Sequence, residues 1–246
     1  LLPTKKVAPT TVNPKKMIIF GKPKIGKSTA LAELEDSIIL DLEGGSDYLN
    51  AVKIDVIKMA KEEGKTPLNL LYEITQAIVA QGRPYKRVIV DTVTALEDIV
   101  LPYALQLYQQ TPMGRTYQGD ILALPNGGGY LYTRTAIFNA LEWIYACADE
   151  VILIGHLKDT LILKDGKEVS AKELDLTGKT KSLLSAKVDA IGLMYRKENK
   201  CMLSFVTSDE VVCGSRPEHL KNKEIVLTEM VDGAIISHWD EVFLPQ

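Results

Sequence analysis

Cysteine and histidine are scarce in this chain of 246 residues, with three of each. Cys147, Cys201 and Cys213 are never closer than 12 positions, so there is no CxxC pair and no zinc-finger spacing. With only His156, His219 and His238 beside them, the inventory argues against a zinc or haem centre, and unpaired thiols point to a reducing cytoplasm. An excess of positive charge is absent too, since 29 basic and 32 acidic residues give a net charge of −3. That excludes coating of nucleic acid by bulk charge, and any polyanion contact must come from a local patch. No apolar run approaches the roughly 18 residues of a membrane helix, and no secretory leader is expected before the first strand. The chain opens on leucine, so its native start is expected upstream. What remains is 46% hydrophobic and 25% charged, the make-up of a globular domain able to bury a core without disulfides or metals. The expectation is a soluble cytoplasmic protein with no membrane contact.

The pattern along the chain alternates strand and helix. Residues 1–15 carry three prolines and three lysines and no acid, and read as a basic extended arm ahead of a single domain over 16–246. Short apolar strands are predicted at 17–20, 37–42, 87–91 and 151–155, and helices from about Lys27 and over 67–80, 95–108 and 131–148. Residues 109–130 and 157–186 read as long polar loops. Ala190–Tyr195 and Met202–Val206 flank a charged turn and read as a hairpin. Strands alternating with helices predict an α/β fold around a mostly parallel, buried sheet.

Gly21-Lys22-Pro23-Lys24-Ile25-Gly26-Lys27-Ser28, followed by Thr29, fits G-x-x-x-x-G-K-[ST] at every fixed position and sits between an apolar strand and a helix. The spacing has a chemical reason. Glycines let successive N–H groups curl toward phosphate oxygens, the lysine reaches the β- and γ-phosphates, and the serine hydroxyl can ligate Mg²⁺. Lys22 and Lys24 read as solvated members of that loop. Val88-Ile89-Val90-Asp91 ends an apolar strand in a carboxylate placed to face the same ion. Hydrolysis also needs a base for water. Asp91 is followed by Thr92 rather than a second carboxylate, so the candidate is Glu43 at the end of the second strand, with Asp41 as its rival. His156, at the tip of the next strand after Asp91, is the candidate γ-phosphate sensor.

The order GKPKIGKST, ILDLEGG, RVIVDT, ILIGHLKD resembles the RecA-like core ATPases, and within them the phage-encoded branch grouped with the Sak single-strand annealing proteins and recombinases. The resemblance extends from about residue 15 to about residue 220, and Val188-Asp189-Ala190-Ile191-Gly192 adds to it. It implies a RecA-like P-loop core with a C-terminal β-hairpin, ATP and Mg²⁺ as cofactors, and Glu43 and His156 as catalytic glutamate and sensor. It further implies a homo-oligomeric filament or ring, single-stranded DNA in two loops, a single-strand-binding protein as an accessory partner, and a host-cell cytoplasm. The loops carry suitable residues: Arg115, Tyr117, Tyr130 and Arg134 among glycines in the first, Lys179 and Lys181 in the second. RecA-type filament lysines would fall near Thr207 and Asp209, which cannot serve, so Arg216 is the candidate finger acting on a neighbour's nucleotide, with Lys187 and Arg196 as rivals. A GTPase is disfavoured because no NKxD element is present, and a small-molecule kinase because no arginine-rich lid appears. The alternative of another class is a nucleotide-binding scaffold that uses ATP only to assemble.

Overall fold

A computed structural model describes residues 2, 4–164 and 167–245 of the chain. The arm up to residue 12 is exposed and without regular structure among the described residues. Asn13 is then buried, its amide donating to the Leu244 carbonyl at 2.9 Å and its oxygen accepting from the Leu244 amide at 2.9 Å.

β1 (Lys16–Gly21) is buried from Met17 onward and runs through the glycine-rich loop into a short helix, α1 (Lys27–Ala32). β2 (Ser37–Asp41) follows. Next come two elements the sequence reading passed over, β3 (Lys53–Asp55) and α2 (Val56–Glu63). The strand has three residues, too few to set a period, and the helix is marked mainly by the Asp55 cap, which accepts from Lys58 N. α3 (Pro67–Ala80) has the predicted bounds, with Thr66 as N-cap and proline in its first turn. β4 (Arg87–Asp91) is buried throughout. The single helix expected over 95–108 is two, α4 (Val93–Ile99) and α5 (Leu101–Gln109). Pro102 explains the break, since it has no N–H to donate and crowds the preceding turn. α6 (Gly128–Tyr145) comes after two short 3₁₀ turns.

The segment expected as a polar loop over 157–186 is mostly structured. β5 (Glu150–Lys164) continues well past His156 and pairs antiparallel with β6 (Lys167–Leu174), with residues 165 and 166 outside the described residues. Beyond its base, where Leu157 pairs with Leu174 at the apolar core, most cross-strand partners of this hairpin are polar or exposed, so its composition reads as loop. α7 (Lys179–Lys187) ends the segment. β7 (Ala190–Lys197) and β8 (Lys200–Ser204) form the predicted hairpin. β9 (Gly214–Ser215), β10 (Glu224–Val231) and β11 (Ala234–Ser237) complete the chain.

The strand order is β11-β10-β8-β7-β1-β5-β4-β2-β3, with β6 on β5 and β9 on β7. From β7 to β3 the pairs along this path are parallel, and from β7 to β11 they are antiparallel. Alternate side chains serve opposite faces. Ile18, Phe20, Leu40, Val90 and Leu153 pack under α2 to α7, whereas Met17, Ile19, Ile39, Ile89 and Ile152 pack against α1, Trp239 and Phe243. Both faces being covered is why the parallel strands read as unbroken apolar runs. The register places Asp41 beside Asp91, Asp91 beside Ile154, and Gly21 beside His156. Motifs separated by up to 135 positions (from Gly21 to His156) thus share the carboxyl edge of the sheet, where α/β folds bind ligands.

Candidate active site

The phosphate loop begins under a steric constraint. A Cβ at Gly21 would stand 2.5 Å from the Met194 carbonyl oxygen of β7, backbone that cannot swing away. Gly26 has φ near +100°, open to glycine and strained for other residues. Lys27 is buried, and its ammonium donates to the carbonyls of Gly21 at 3.0 Å and Lys22 at 2.8 Å, so it closes the loop from within. Burial pushes its pKa down, opposed by the charges of Asp91 and Glu43. Lys22, Pro23, Lys24 and Thr29 are exposed, and Ile25 is half-buried.

Ser28 Oγ donates to Asp91 Oδ2 at 2.6 Å. Burial raises the Asp91 pKa, with the Ser28 hydrogen bond pulling the other way and Glu43 and Asp41 adding to the rise. A cation beside this pair would relieve the cost of the buried carboxylate. The hydroxyl and carboxylate oxygens suit a hard ion such as Mg²⁺. Among the described residues no cluster of three or more His, Cys, Asp or Glu could hold a metal.

The two rival carboxylates have different surroundings. Asp41 is buried and accepts three backbone N–H groups, from Glu43 at 2.9 Å, Gly44 at 2.9 Å and Ser46 at 2.8 Å. It builds the turn that carries Glu43. Glu43 itself is exposed, and its Oε1 accepts from Thr92 Oγ1 at 2.6 Å and lies 2.7 Å from His156 Nε2. Thr92 does double duty, because its Oγ1 also accepts from Ala95 N and caps α4. His156 is set in turn by Thr94, whose Oγ1 accepts the His156 amide at 3.2 Å. The ring's other nitrogen, Nδ1, is buried without a partner among the described residues. Thr92 is the member of this cluster that sequence reading missed. Its signal was a hydroxyl directly after the strand-ending Asp91, at a helix N-cap position.

The remaining candidates lie elsewhere. Arg216 donates to Asp189 Oδ1 at 3.2 Å and to the Ala186 carbonyl at 2.6 Å, near the start of β7, where Ala190 pairs with Met17. That is the amino edge of the sheet, opposite the phosphate loop. Asp189 also accepts the amides of Lys15 and Lys16 at 3.1 Å, so it ties the starts of β1 and β7 together. Arg115 is exposed in the turn after α5. Tyr117 is half-buried, packed edge-on to Tyr108 and donating its hydroxyl to the Asp120 carbonyl at 2.7 Å. Tyr130 is exposed and Arg134 half-buried, four positions apart in the first turns of α6. Lys179 is exposed at the start of α7, and Lys181 is half-buried and pairs with Glu173 of β6.

A family model described as an AAA domain matches residues 13–217. The chain belongs to that family. The match covers the strands and loops that build the site, and the strand order around β1 places β5 between the phosphate-loop strand and the Asp91 strand. The fold of this AAA domain is the expected α/β P-loop core, a mostly parallel sheet flanked by helices with a C-terminal β-hairpin. It is an ATPase-type domain by family. Among solved structures, the RadB recombinase is similar at 13% identity and TM-score 0.44, covering 91% of each chain. A prototypical ATPase from the type III secretion system of pathogenic bacteria is similar at 13% identity and TM-score 0.42, covering 86% of this chain and 60% of that one. No curated protein matches the chain in sequence. Among the described residues no helix is long and apolar enough to cross a membrane.

Proposed function

We propose that this AAA domain is a Mg²⁺-dependent ATPase that binds single-stranded DNA and assembles with copies of itself, in the manner of the RecA-like annealing proteins and recombinases its motifs resemble. The observation that carries the catalytic part is the convergence at one sheet edge of the phosphate loop, the Ser28–Asp91 pair and the Glu43 carboxylate held by Thr92 and His156. In this reading Lys27 and the loop amides bind the triphosphate, and Ser28 and Asp91 hold Mg²⁺. The ion would neutralise charge developing on the phosphates. Glu43 accepts the proton of the attacking water. Its Oε2 takes no hydrogen bond from the described residues and is the oxygen available for that proton. His156 bridges the catalytic carboxylate to the strand beside Gly21, which suits a sensor of the γ-phosphate.

DNA binding is supported by placement. α6 and α7 each precede a parallel strand, so their N-termini point to the edge that holds the nucleotide site, and Tyr130, Arg134 and Lys179 are carried there. A stacking ring with basic side chains is what sequence-tolerant single-strand binding requires. Single-stranded DNA should therefore raise ATP turnover. Charge reversal at Lys179 and Lys181 together should abolish that stimulation while nucleotide affinity stays as in wild type. Turnover measured with and without an oligonucleotide decides the point. Nucleotide-dependent assembly with no response to DNA would favour the scaffold alternative.

Arg216 lies at the wrong edge to reach the nucleotide of its own protomer, so a role in turnover must be across an interface. Arg216→Ala should cut turnover without loosening nucleotide, because a finger acts on transition-state charge. Mixing supplies the test. A Glu43→Gln protomer has Arg216 and an Arg216→Ala protomer has Glu43, so mixtures should recover part of the activity. Mixtures that co-assemble but stay as inactive as the parents would show that Arg216 only ties Asp189 to α7.

A further inference from the structure

The phosphate-loop motif leaves its four middle positions free, yet one peptide within them is held from outside. Arg196, near the end of β7, donates its Nε–H to the Ile25 carbonyl at 3.2 Å. Cys201, the cross-strand partner of Arg196 in β8, places its Sγ 3.7 Å from the same oxygen. Arg196 Nη2 comes within 3.5 Å of the position a Cβ would take at Gly26. In a trans peptide the C=O and the following N–H point in opposite directions. With the Ile25 oxygen turned out toward β7, the Gly26 N–H is turned to the loop's inner side, where phosphate binds in a loop of this kind. Gly26 accommodates this with a positive φ.

We infer that Arg196 is a positioning residue of the phosphate loop, acting in cis: it fixes the Ile25–Gly26 peptide with its N–H facing the nucleotide phosphates and adds a positive charge beside them. This rests on the nucleotide-binding reading above and extends it to a residue outside the motif, 171 positions from its contact. The role differs from that of a finger. A finger serves a neighbour's nucleotide and acts on turnover, whereas Arg196 serves its own loop and acts on binding of diphosphate and triphosphate alike. A lysine keeps the charge but cannot reproduce the planar fork.

The test is a titration of MgADP and a non-hydrolysable MgATP analogue onto wild type, Lys27→Ala, Arg196→Gln and Arg196→Lys. Lys27→Ala should lose binding. Arg196→Gln should weaken both nucleotides by about ten- to a hundredfold, the scale of a hydrogen bond to a charged group, with Arg196→Lys between it and wild type. Thermal unfolding without nucleotide should be unchanged in Arg196→Gln, since the side chain is exposed. If that variant is destabilised, Arg196→Lys, which keeps the aliphatic stem, provides the comparison. At nucleotide concentrations too low to fill the Arg196→Gln site, mixing Arg196→Gln with Glu43→Gln should leave turnover unrescued, because no protomer then holds both groups. Wild-type affinity in both Arg196 variants, with binding lost in Lys27→Ala, overturns the inference and leaves the nucleotide site standing. Rescue on mixing overturns the cis assignment. Equal binding by wild type and Lys27→Ala would instead remove the assignment of the nucleotide to this loop.

Discussion

Glu43→Gln is expected to leave Mg·ATP binding intact and to lower turnover by roughly 10²–10⁴-fold, the range of general base catalysis. The amide keeps the shape of the side chain and an oxygen for the contacts with Thr92 and His156. It removes only the basicity. Asp41→Asn tests the rival carboxylate, and the geometry gives it a different signature. Both Asp41 oxygens accept backbone N–H groups, Oδ1 from Glu43 and Gly44 and Oδ2 from Ser46. An asparagine NH₂ cannot accept, so one end of the turn loses its anchor, and the change should appear as lower thermal stability with a smaller loss of rate. If Asp41→Asn abolished turnover in a fully folded protein while Glu43→Gln remained active, Asp41 would be the base.

Lys27→Ala is expected to remove nucleotide binding, measured directly by titration, and with it all turnover. The ammonium is buried and bonded to the carbonyls of Gly21 and Lys22. It is the side chain of this loop placed inside the curl where phosphate would lie. Its removal deletes a positive charge and leaves two carbonyls lining the curl without their donor. Lys24→Ala is the control. Lys24 is exposed in the same loop and should be replaceable without change in affinity. Unchanged affinity in Lys27→Ala would falsify the assignment of the loop.

The parts of this protein legible in the sequence are those that repeat a local rule. The strands at 37–41 and 87–91 and the helix at 67–80 follow from apolar periodicity and caps spanning a few residues. The phosphate loop follows from fixed spacing. Within that reach the candidate nucleotide site was identifiable, because Lys27 and Ser28 lie in one short motif and Asp91 ends an apolar run. The hairpin of β5 and β6 was not. Beyond the Leu157–Leu174 pair its strands are stabilised by cross-strand pairing outside the core, and pairing partners leave no period in the sequence. Glu43 was chosen over Asp41, two positions away on one strand end, by its place at the strand tip. Tertiary structure adds their surroundings, one carboxylate turned onto three backbone amides and the other toward Thr92 and His156.

The sequence by itself determined the chemical groups and the main alternation of strands and helices, because hydrophobic periodicity and motif spacing act between near neighbours along the chain. Only the tertiary structure decided which groups meet. It set Arg196 on the Ile25 carbonyl and Arg216 at the far edge of the sheet. The physical reason is register. Residues at distant positions come together when parallel strands align their carboxyl ends, and that alignment follows from packing two covered sheet faces, which no local pattern encodes.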